Sequence, residues 1–301
     1  MIRNGWNGRA PAGRIAYVDG RYLPHGRAGV HIEDRGLQLA DAIYEVCAIS
    51  DGLLIDQEEH LDRLVRSLGE IGMAMPMPRH VLALVMQELV RRNRARTGLL
   101  YLQVTRGAAR RDHPIPTEEM RPTLIMTVRE LSADGIARRQ EVGIKVITRP
   151  DERWARCDIK TTQLLPNLLA KTAARKTGAY EAWLVDDDGF ITEGSSTNAW
   201  IVDSEGRLTT RQLSHEILPG VTRRVILEAA TEAQLRVFER KFTPGEASDA
   251  REAFISSATG VIPVIAIDGK AIGEGQPGPV TKRVQQLYAH RSTATAAKLA
   301  R

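Results

Sequence analysis

The sequence feature that most limits the fold is its mixture of two apolar patterns. Short segments in which apolar and polar residues alternate, as in β-strands, are interspersed along the whole chain with segments whose apolar residues recur at helical spacing. Acid–glycine pairs favour the tight turns of β-hairpins. Hairpin signals of this kind lie at residues 19–20, 51–52, 188–189 and 205–206. Apolar residues recur at helical spacing over 57–72, 79–93, about 164–177, 221–234 and about 279–290. We therefore predict a mixed α/β (α+β) protein.

The length of the chain predicts two domains, because 301 residues are about twice the usual length of one domain. The segment at 132–140 combines turn residues and charge without an apolar period, so we predict an interdomain linker there. The predicted domains are a smaller N-terminal α/β domain at 1–131 and a larger C-terminal domain at 141–301. We expect residues 291–301 to be frayed.

Composition argues against several classes of protein. The net charge is +5, but the basic residues are scattered among acidic ones, so we expect no nucleic-acid partner. No apolar run approaches the ~20 residues that span a bilayer, and the first residues lack the apolar region of a secretory signal. We therefore expect no membrane partner and a cytoplasmic protein. Cys47 and Cys157 lie far apart and His113 has no second ligand at suitable spacing, so neither a disulfide nor a metal site is predicted.

The most informative chemistry lies in residues 154–200, where Lys160 in the sequence CDIK precedes the cluster EGSSTN at 193–198. Lysine is the side chain whose amine condenses with an aldehyde to a Schiff base and later moves a proton. Lys160 is therefore the candidate nucleophile. Taken alone, such a lysine is more often solvated, and Glu193 alone could begin a hairpin that faces water.

Seven motifs together point to one family. They are EDRGLQLADAIYEV, HLDRL, YLQVTRG, CDIK, EGSSTN, LPGVTRR and PVIAIDGK, in this order from residue 33 to residue 270. With them the chain resembles the fold-type IV pyridoxal-phosphate enzymes, the class IV aminotransferases, and most closely their D-amino-acid transaminase branch. The resemblance covers nearly the whole chain. It implies a two-domain fold in which the larger, β-barrel-like α/β domain at 141–301 binds pyridoxal 5'-phosphate.

The resemblance implies catalytic roles for Lys160 and Glu193. Lys160 would form the Schiff base with the cofactor and would then act as acid and base. Glu193 would hold a proton on the pyridine nitrogen, which lets the ring absorb the electrons of a carbanion.

The phosphate of the cofactor favours a helix N-terminus and a bidentate arginine. The sequence Pro219-Gly220 stops the preceding chain. The N–H groups of Val221 and Thr222, with the Thr222 hydroxyl, are therefore predicted to face the phosphate. Arg63 in HLDRL resembles the phosphate-binding arginine of the family.

Two further turns are predicted to contact the cofactor. Ser195 and Ser196, with the backbone of their turn, would organise the side of the pocket that holds the ring and the phosphate of the cofactor. Alternatively, Gly-Ser-Ser is also a common sequence in turns that bind no ligand. In the third phosphate loop Ala258 stands where relatives commonly have threonine. Ser257 or Thr259 is expected to substitute for it, and the sequence does not choose between them.

The substrate class depends on the residues that bind the α-carboxylate. In the D-amino-acid branch these are a tyrosine and an Arg-x-His pair, which match Tyr44, Arg111 and His113. A planar guanidinium suits a carboxylate, and a phenol and an imidazole add hydrogen bonds. Alternatively, Arg106, Arg110 and Arg111 are simply exposed on a polar loop. The resemblance also implies a homodimer in which this loop completes the active site of the neighbouring subunit.

The implied activity is a ping-pong transamination between a D-amino acid and a 2-oxo acid. Other enzymes of the same scaffold remain alternatives, because fold alone does not settle function. A branched-chain L-amino-acid transaminase would have a Tyr-x-Arg signature where this chain has YLQVTRG. An (R)-amine transaminase would not need the pair at Arg111 and His113, and an aminodeoxychorismate lyase would use the same lysine for elimination.

Overall fold

The structure is a computed structural model that describes residues 13–299, and side chains within residues 13–292. The chain divides into two compact units. The first extends to Leu131 and also contains Lys160–Gln163. The second contains Ser132–Ile159 and the chain from Leu164 onward. The chain therefore leaves the second unit for four residues, Lys160–Gln163, and then returns to it.

The first unit is built on a six-stranded antiparallel sheet of order β2-β1-β6-β5-β3-β4. Its elements are β1 (Ile15–Val18), β2 (Arg21–Pro24), a 3₁₀ turn (His25–Arg27), α1 (Arg35–Leu39), β3 (Ala42–Ser50), β4 (Leu53–Leu54), α2 (Gln57–Glu70), α3 (Arg79–Asn93), β5 (Thr97–Thr105) and β6 (Thr123–Glu130). The helix α2 packs on β3 through a buried stripe of Leu61, Leu64 and Leu68. Each such leucine contributes about 1.5–3 kcal/mol by burial.

The second unit is built on a mixed nine-stranded sheet in which β12-β11-β10-β13-β14-β7-β8-β9 lie in this order and β15 pairs with β14. Its elements are α4 (Ala133–Val142), β7 (Ile144–Pro150), α5 (Leu165–Lys176), β8 (Glu181–Val185), β9 (Ile191–Gly194), β10 (Asn198–Val202), β11 (Leu208–Thr210), α6 (Val221–Glu232), β12 (Val237–Glu239), α7 (Pro244–Ser248), β13 (Glu252–Ser257), β14 (Gly260–Ile267), β15 (Lys270–Ala271) and α8 (Pro279–Leu299). The sheet curls into a half-barrel, because the edge strand β9 also lies beside β10. The predicted mixed α/β architecture is confirmed.

The structure differs from two local expectations. Residues 132–140, predicted as a linker, form most of α4 in the second unit. Ser132 begins this helix by accepting a hydrogen bond from the Gly135 N–H, and Gly143, at φ 78°, ends it. No residue of α4 is buried, so the helix has no apolar period to detect. The last helix, predicted to end near residue 290, continues to Leu299.

Within the described residues, no helix has the length and apolar character that crossing a membrane requires.

Candidate active site

Lys160 is held in the first unit by backbone pairing with β3. The Tyr44 N–H donates to the Lys160 carbonyl at 3.0 Å, and the Thr162 N–H donates to the Ala42 carbonyl at 3.2 Å. Between them Thr161 forms a bridge with Ile43. The backbone at Lys160 is therefore fixed by its pairing with β3. The Lys160 side chain is half-buried.

The amine of Lys160 lies over an aromatic ring. Its Nζ atom is 4.2 Å from the centroid of the Tyr44 ring, within the range of a cation–π contact. Tyr44 in turn stacks on Tyr101, with 5.7 Å between ring centroids and an interplanar angle of 28°. Burial raises the pKa of Tyr101 to about 12, so its hydroxyl stays protonated and donates to Gln103 at 2.7 Å. The structure thus brings together the predicted residues Lys160 and Tyr44.

Arg63 forms a buried ion pair with Glu45, a residue that the sequence analysis did not single out. Its Nε and Nη2 atoms donate to the two carboxylate oxygens, each at 2.8 Å. The Nδ1 atom of His60 lies 2.8 Å from the same carboxylate. Burial alone would raise the pKa of Glu45, but Arg63 and then His60 outweigh it and hold the pKa well below its usual range. Burial lowers the pKa of His60, and Glu45 opposes this shift.

The predicted carboxylate-binding residues Arg111 and His113 are both exposed in the single chain. They lie in the segment of residues 106–122 between β5 and β6, which we call the carboxylate loop. The expectation that all three loop arginines could be exposed fails for Arg106, which is 7% exposed. Arg106 donates to Asp41 at 2.7 Å and to the Ile71 carbonyl at 2.8 Å, so it stabilises the base of the loop.

Glu193 lies in β9 of the second unit and is buried. Arg153 donates to one carboxylate oxygen, which also accepts the Leu218 N–H at 3.1 Å. Asn198 donates to the other oxygen at 2.9 Å. Burial raises the pKa of Glu193, while Arg153 and the Leu218 N–H oppose that shift. All three donors favour the ionised form of the carboxylate.

Arg153 is a functional candidate that the sequence analysis missed. Besides Glu193 it binds Asp151 at 2.7 Å, the Thr192 hydroxyl at 3.3 Å and the Glu216 carbonyl at 3.0 Å. Its pKa is raised because Glu193 and Asp151 outweigh the effect of burial. A buried carboxylate needs a cation or several donors. The sequence analysis assigned Glu193 to the cofactor ring but did not ask which cation would accompany a buried acid, and the 40-residue separation hides that partner.

The start of α6 has the form predicted for a phosphate site. Gly220 is the N-cap and supplies no side-chain hydrogen bond, and Val221 and Thr222 are both buried. A Cβ atom on Gly220 would lie 2.0 Å from the Asn198 Oδ1 atom, so glycine is required for this close approach. Helix N–H groups without a side-chain cap attract anions.

The turn at residues 257–259, predicted as the third phosphate loop, lies beside the start of α6. The Thr222 hydroxyl donates to the Ser257 carbonyl at 2.9 Å. The hydroxyls of Ser257 and Thr259 are 3.0 Å apart, and the Thr259 N–H lies 3.3 Å from the Ser257 oxygen. Both hydroxyls therefore flank the position of Ala258, and the structure brings together Thr222, Ser257 and Thr259.

The side chains of Ser195 and Ser196 bind another residue, Glu181. Ser195 donates to one of its carboxylate oxygens, and Ser196 donates to the other at 2.9 Å. Lys171 also donates to this carboxylate, at 2.8 Å, and Glu181 is 0% exposed. The Ser195 backbone is bound as well, because its N–H donates to the Ala182 carbonyl at 2.8 Å and its carbonyl accepts the Asn167 amide at 2.8 Å. The two serine hydroxyls and these backbone hydrogen bonds therefore fix the conformation of the turn.

The chain belongs to the class IV aminotransferases, because the profile of the family Amino-transferase class IV matches residues 42–267. It is 40% identical over 268 residues to a D-alanine aminotransferase of Bacillus licheniformis, which covers 89% of this chain and 93% of the relative. It is 37% identical to a D-alanine aminotransferase of Staphylococcus epidermidis, over 90% of this chain and 95% of the relative. Among solved structures, a branched-chain amino acid aminotransferase of Escherichia coli superposes with a TM-score of 0.87 at 25% identity, over 93% of this chain and 95% of that one.

The protein is therefore a pyridoxal 5'-phosphate-dependent aminotransferase of fold type IV, and its substrates are amino acids and 2-oxo acids. The donor set fits the cofactor. The second unit offers an uncapped helix start with adjacent hydroxyls for a phosphate, and a buried carboxylate for a pyridine nitrogen. The first unit offers a half-buried lysine amine for an aldehyde.

Proposed function

We propose that the protein is a D-amino-acid aminotransferase that works by a ping-pong mechanism. The observation that carries this proposal is the 40% identity with a D-alanine aminotransferase over 89% of the chain. The substrate preference of that relative is thereby assigned to this enzyme. The exposed pair of Arg111 and His113 supports a substrate with a carboxylate, because guanidinium and imidazole groups bind that anion well.

Lys160 is assigned the covalent and proton-transfer chemistry. Bound pyridoxal 5'-phosphate supplies an aldehyde that accepts the amino group and a ring that takes up electrons. Lys160, as the proposed Schiff-base lysine, would hold the cofactor through its Nζ atom, and the same atom would accept the Cα proton of the substrate. The face of the Tyr44 ring, which the Lys160 Nζ atom contacts, orients the amine, since an aromatic face attracts a protonated amine.

Glu193 is assigned to the protonated pyridine nitrogen. Its ionised form is supported by Arg153, Asn198 and the Leu218 N–H, so the carboxylate already has a fixed orientation. Such an oriented anion stabilises a positive charge on the ring without reorganisation.

Several residues are assigned to the phosphate of the cofactor. The N–H groups at the start of α6 would donate to it, and the nearby hydroxyls would complete the site. These residues are Val221, Thr222, Ser257 and Thr259. Ser195 and Ser196 are proposed to contribute through the fixed turn that they form, and Arg63 through its charge.

The enzyme is further proposed to be a homodimer in which the carboxylate loop serves the neighbouring subunit. Exposed apolar side chains support this in both units. On α5, Leu165, Leu168 and Leu169 share one helix face and are 59–66% exposed. In the first unit, Leu37 is 63% exposed and Ile115, in the carboxylate loop, is 55% exposed. Light scattering should give twice the chain mass, and a monomer would contradict the proposal. The cytoplasmic location stays a prediction.

The experiment that tests the function compares donors with the purified holoenzyme. D-Alanine, L-leucine and (R)-1-phenylethylamine are each offered with 2-oxoglutarate, and D-alanine is expected to give the highest kcat/KM. Lys160→Ala should abolish both the reaction and the visible absorption of the bound cofactor. Lys282→Ala, at an exposed lysine of α8, is the matched control and should change neither. Retained activity in the Lys160 variant would contradict the mechanism.

A branched-chain L-amino-acid aminotransferase is the second candidate. It is favoured by the TM-score of 0.87 to the Escherichia coli enzyme. A preference for L-leucine over D-alanine in the same experiment would select it.

A further inference from the structure

We propose that Arg35 is a positioning residue for the carboxylate loop and thereby sets the preference of the enzyme for donors that have a carboxylate. This inference rests on the proposed role of Arg111 and His113 in substrate binding. Arg35 lies in α1 and is 4% exposed.

Arg35 binds the carboxylate loop through two consecutive backbone carbonyls, those of Asp112 and His113. Its Nη1 atom donates to the Asp112 carbonyl at 2.8 Å, and its Nη2 atom donates to the His113 carbonyl at 3.4 Å. In the part of the chain that the structure describes, these are the hydrogen bonds that tie residues 110–119 to the rest of the first unit. The orientation of the loop tip therefore depends on one guanidinium.

The guanidinium is itself fixed by the partly buried carboxylate of Asp41. The Nε atom of Arg35 donates to Asp41 at 2.8 Å, and Arg106 donates to the same carboxylate oxygen at 2.7 Å. Burial alone would raise the pKa of Asp41, but the two guanidiniums outweigh it and lower the pKa. Asp41 therefore remains charged at neutral pH and holds Arg35 in one position.

The helix that carries Arg35 is also anchored to the end of β5, where the carboxylate loop begins. Asp34 caps α1 by accepting the N–H groups of Gly36 and Leu37, and it accepts the Thr105 hydroxyl at 2.8 Å. The Arg35 N–H donates to the Gly107 carbonyl at 2.9 Å. Arg35 thus connects the rigid base of the loop to its tip.

The functional consequence follows from the position of Arg111 next to the Asp112 peptide. A shift of about 1 Å in a group that positions the substrate costs up to about 100-fold in rate. Loss of the Arg35 contacts should therefore weaken the binding of a carboxylate donor and leave a donor without a carboxylate much less affected.

The test compares Arg35→Gln, Arg35→Lys and Arg106→Gln in the holoenzyme. Arg106 is the matched control, because it shares Asp41 with Arg35 but donates its other hydrogen bonds to the Ile71 and Gly72 carbonyls. The KM and kcat for D-alanine are measured, together with single-turnover conversion by (R)-1-phenylethylamine, followed by visible absorption. Hydrogen exchange over residues 108–116 reports on the loop independently of activity.

Arg35→Gln should raise the KM for D-alanine by about 10- to 100-fold and change the amine reaction by less than about 3-fold. It should also accelerate exchange in the loop. Arg35→Lys should raise the KM for D-alanine less than Arg35→Gln does, since an ammonium still donates to one carbonyl. Arg106→Gln should affect both donors equally. Equal effects of Arg35→Gln on both donors, or unchanged exchange, would overturn the proposal.

The variant Arg111→Gln separates the two hypotheses. If it impairs D-alanine selectively while Arg35→Gln does not, the role of Arg35 is wrong and the proposed function stands. If Arg111→Gln impairs both donors equally, the assignment of the carboxylate-binding residues is itself wrong.

Discussion

Arg63→Gln should leave Glu45 buried without the cation that now binds both of its carboxylate oxygens. The two side chains are 9% and 2% exposed, and both hydrogen bonds between them are 2.8 Å long. Two unit charges about 4 Å apart attract by about 4 kcal/mol at the effective dielectric constant of a protein. Removing one partner of a buried pair costs about 3–5 kcal/mol, because the other charge remains in the interior. We expect a loss of that size in the free energy of unfolding.

The loss should grow with pH. In the wild type the pKa of Glu45 lies below its unfolded value of about 4.3, so its stabilising effect is complete above that pH and disappears as the pH falls towards the folded pKa. Without Arg63, burial is expected to raise the pKa of Glu45 above the unfolded value. The buried carboxylate then destabilises the variant increasingly as the pH rises. The difference between the two proteins should therefore be larger at about pH 8 than at about pH 5.

Urea unfolding followed by circular dichroism at both pH values measures the effect. Arg66→Gln is the matched control on the same helix, since its pair with Glu70 is 3.8 Å long and its side chain is 40% exposed. An exposed pair contributes less than about 1 kcal/mol. In a Glu45→Gln background the loss caused by Arg63→Gln should shrink. A loss below about 1 kcal/mol at both pH values, or one unchanged in that background, would refute the reasoning.

Two further predictions concern the second unit. Gly220→Ala places a methyl group 2.0 Å from the Asn198 Oδ1 atom, so either the Asn198 side chain or the start of α6 must shift. We expect the cofactor to bind about 10-fold more weakly in a spectrophotometric titration, about the effect of one hydrogen bond to a charged group. An unchanged dissociation constant would show that α6 does not bind the phosphate. Burial raises the pKa of Cys157 to about 12. Because only the thiolate reacts, alkylation of Cys157 at about pH 8 should be at least 100-fold slower in the folded protein than in the unfolded chain. Peptide mass spectrometry measures the rate. Rapid labelling would show that the thiol is ionised.

The elements that the sequence predicted well are those with a local apolar period. The helix predicted over 79–93 is observed as α3 (Arg79–Asn93), and the one predicted over 57–72 is observed as α2 (Gln57–Glu70). Both present apolar residues to a sheet, so burial selects the same residues that create the period. Helix α4 has no buried residue and was missed for that reason.

The setting of Lys160 required the folded chain. The motif CDIK singles out the lysine, but its pairing with β3 joins residues 44 and 160. A pairing across such a separation is not encoded in any local pattern. The sequence therefore indicates which amine carries the chemistry, and only the fold shows that the Tyr44 ring lies beneath it.

Buried acids show which of the missed residues could have been found. In β3, Glu45 has the same parity as Ile43, Cys47 and Ile49, all of which face the interior. An acid on the apolar face of an alternating strand must have a cationic or hydrogen-bonding partner, so its presence predicts a buried network. The partner itself, Arg63, lies 18 residues away on a helix and is identified only when that helix packs on the strand. A sequence can thus reveal that a charge is buried, while the fold is needed to identify the opposite charge.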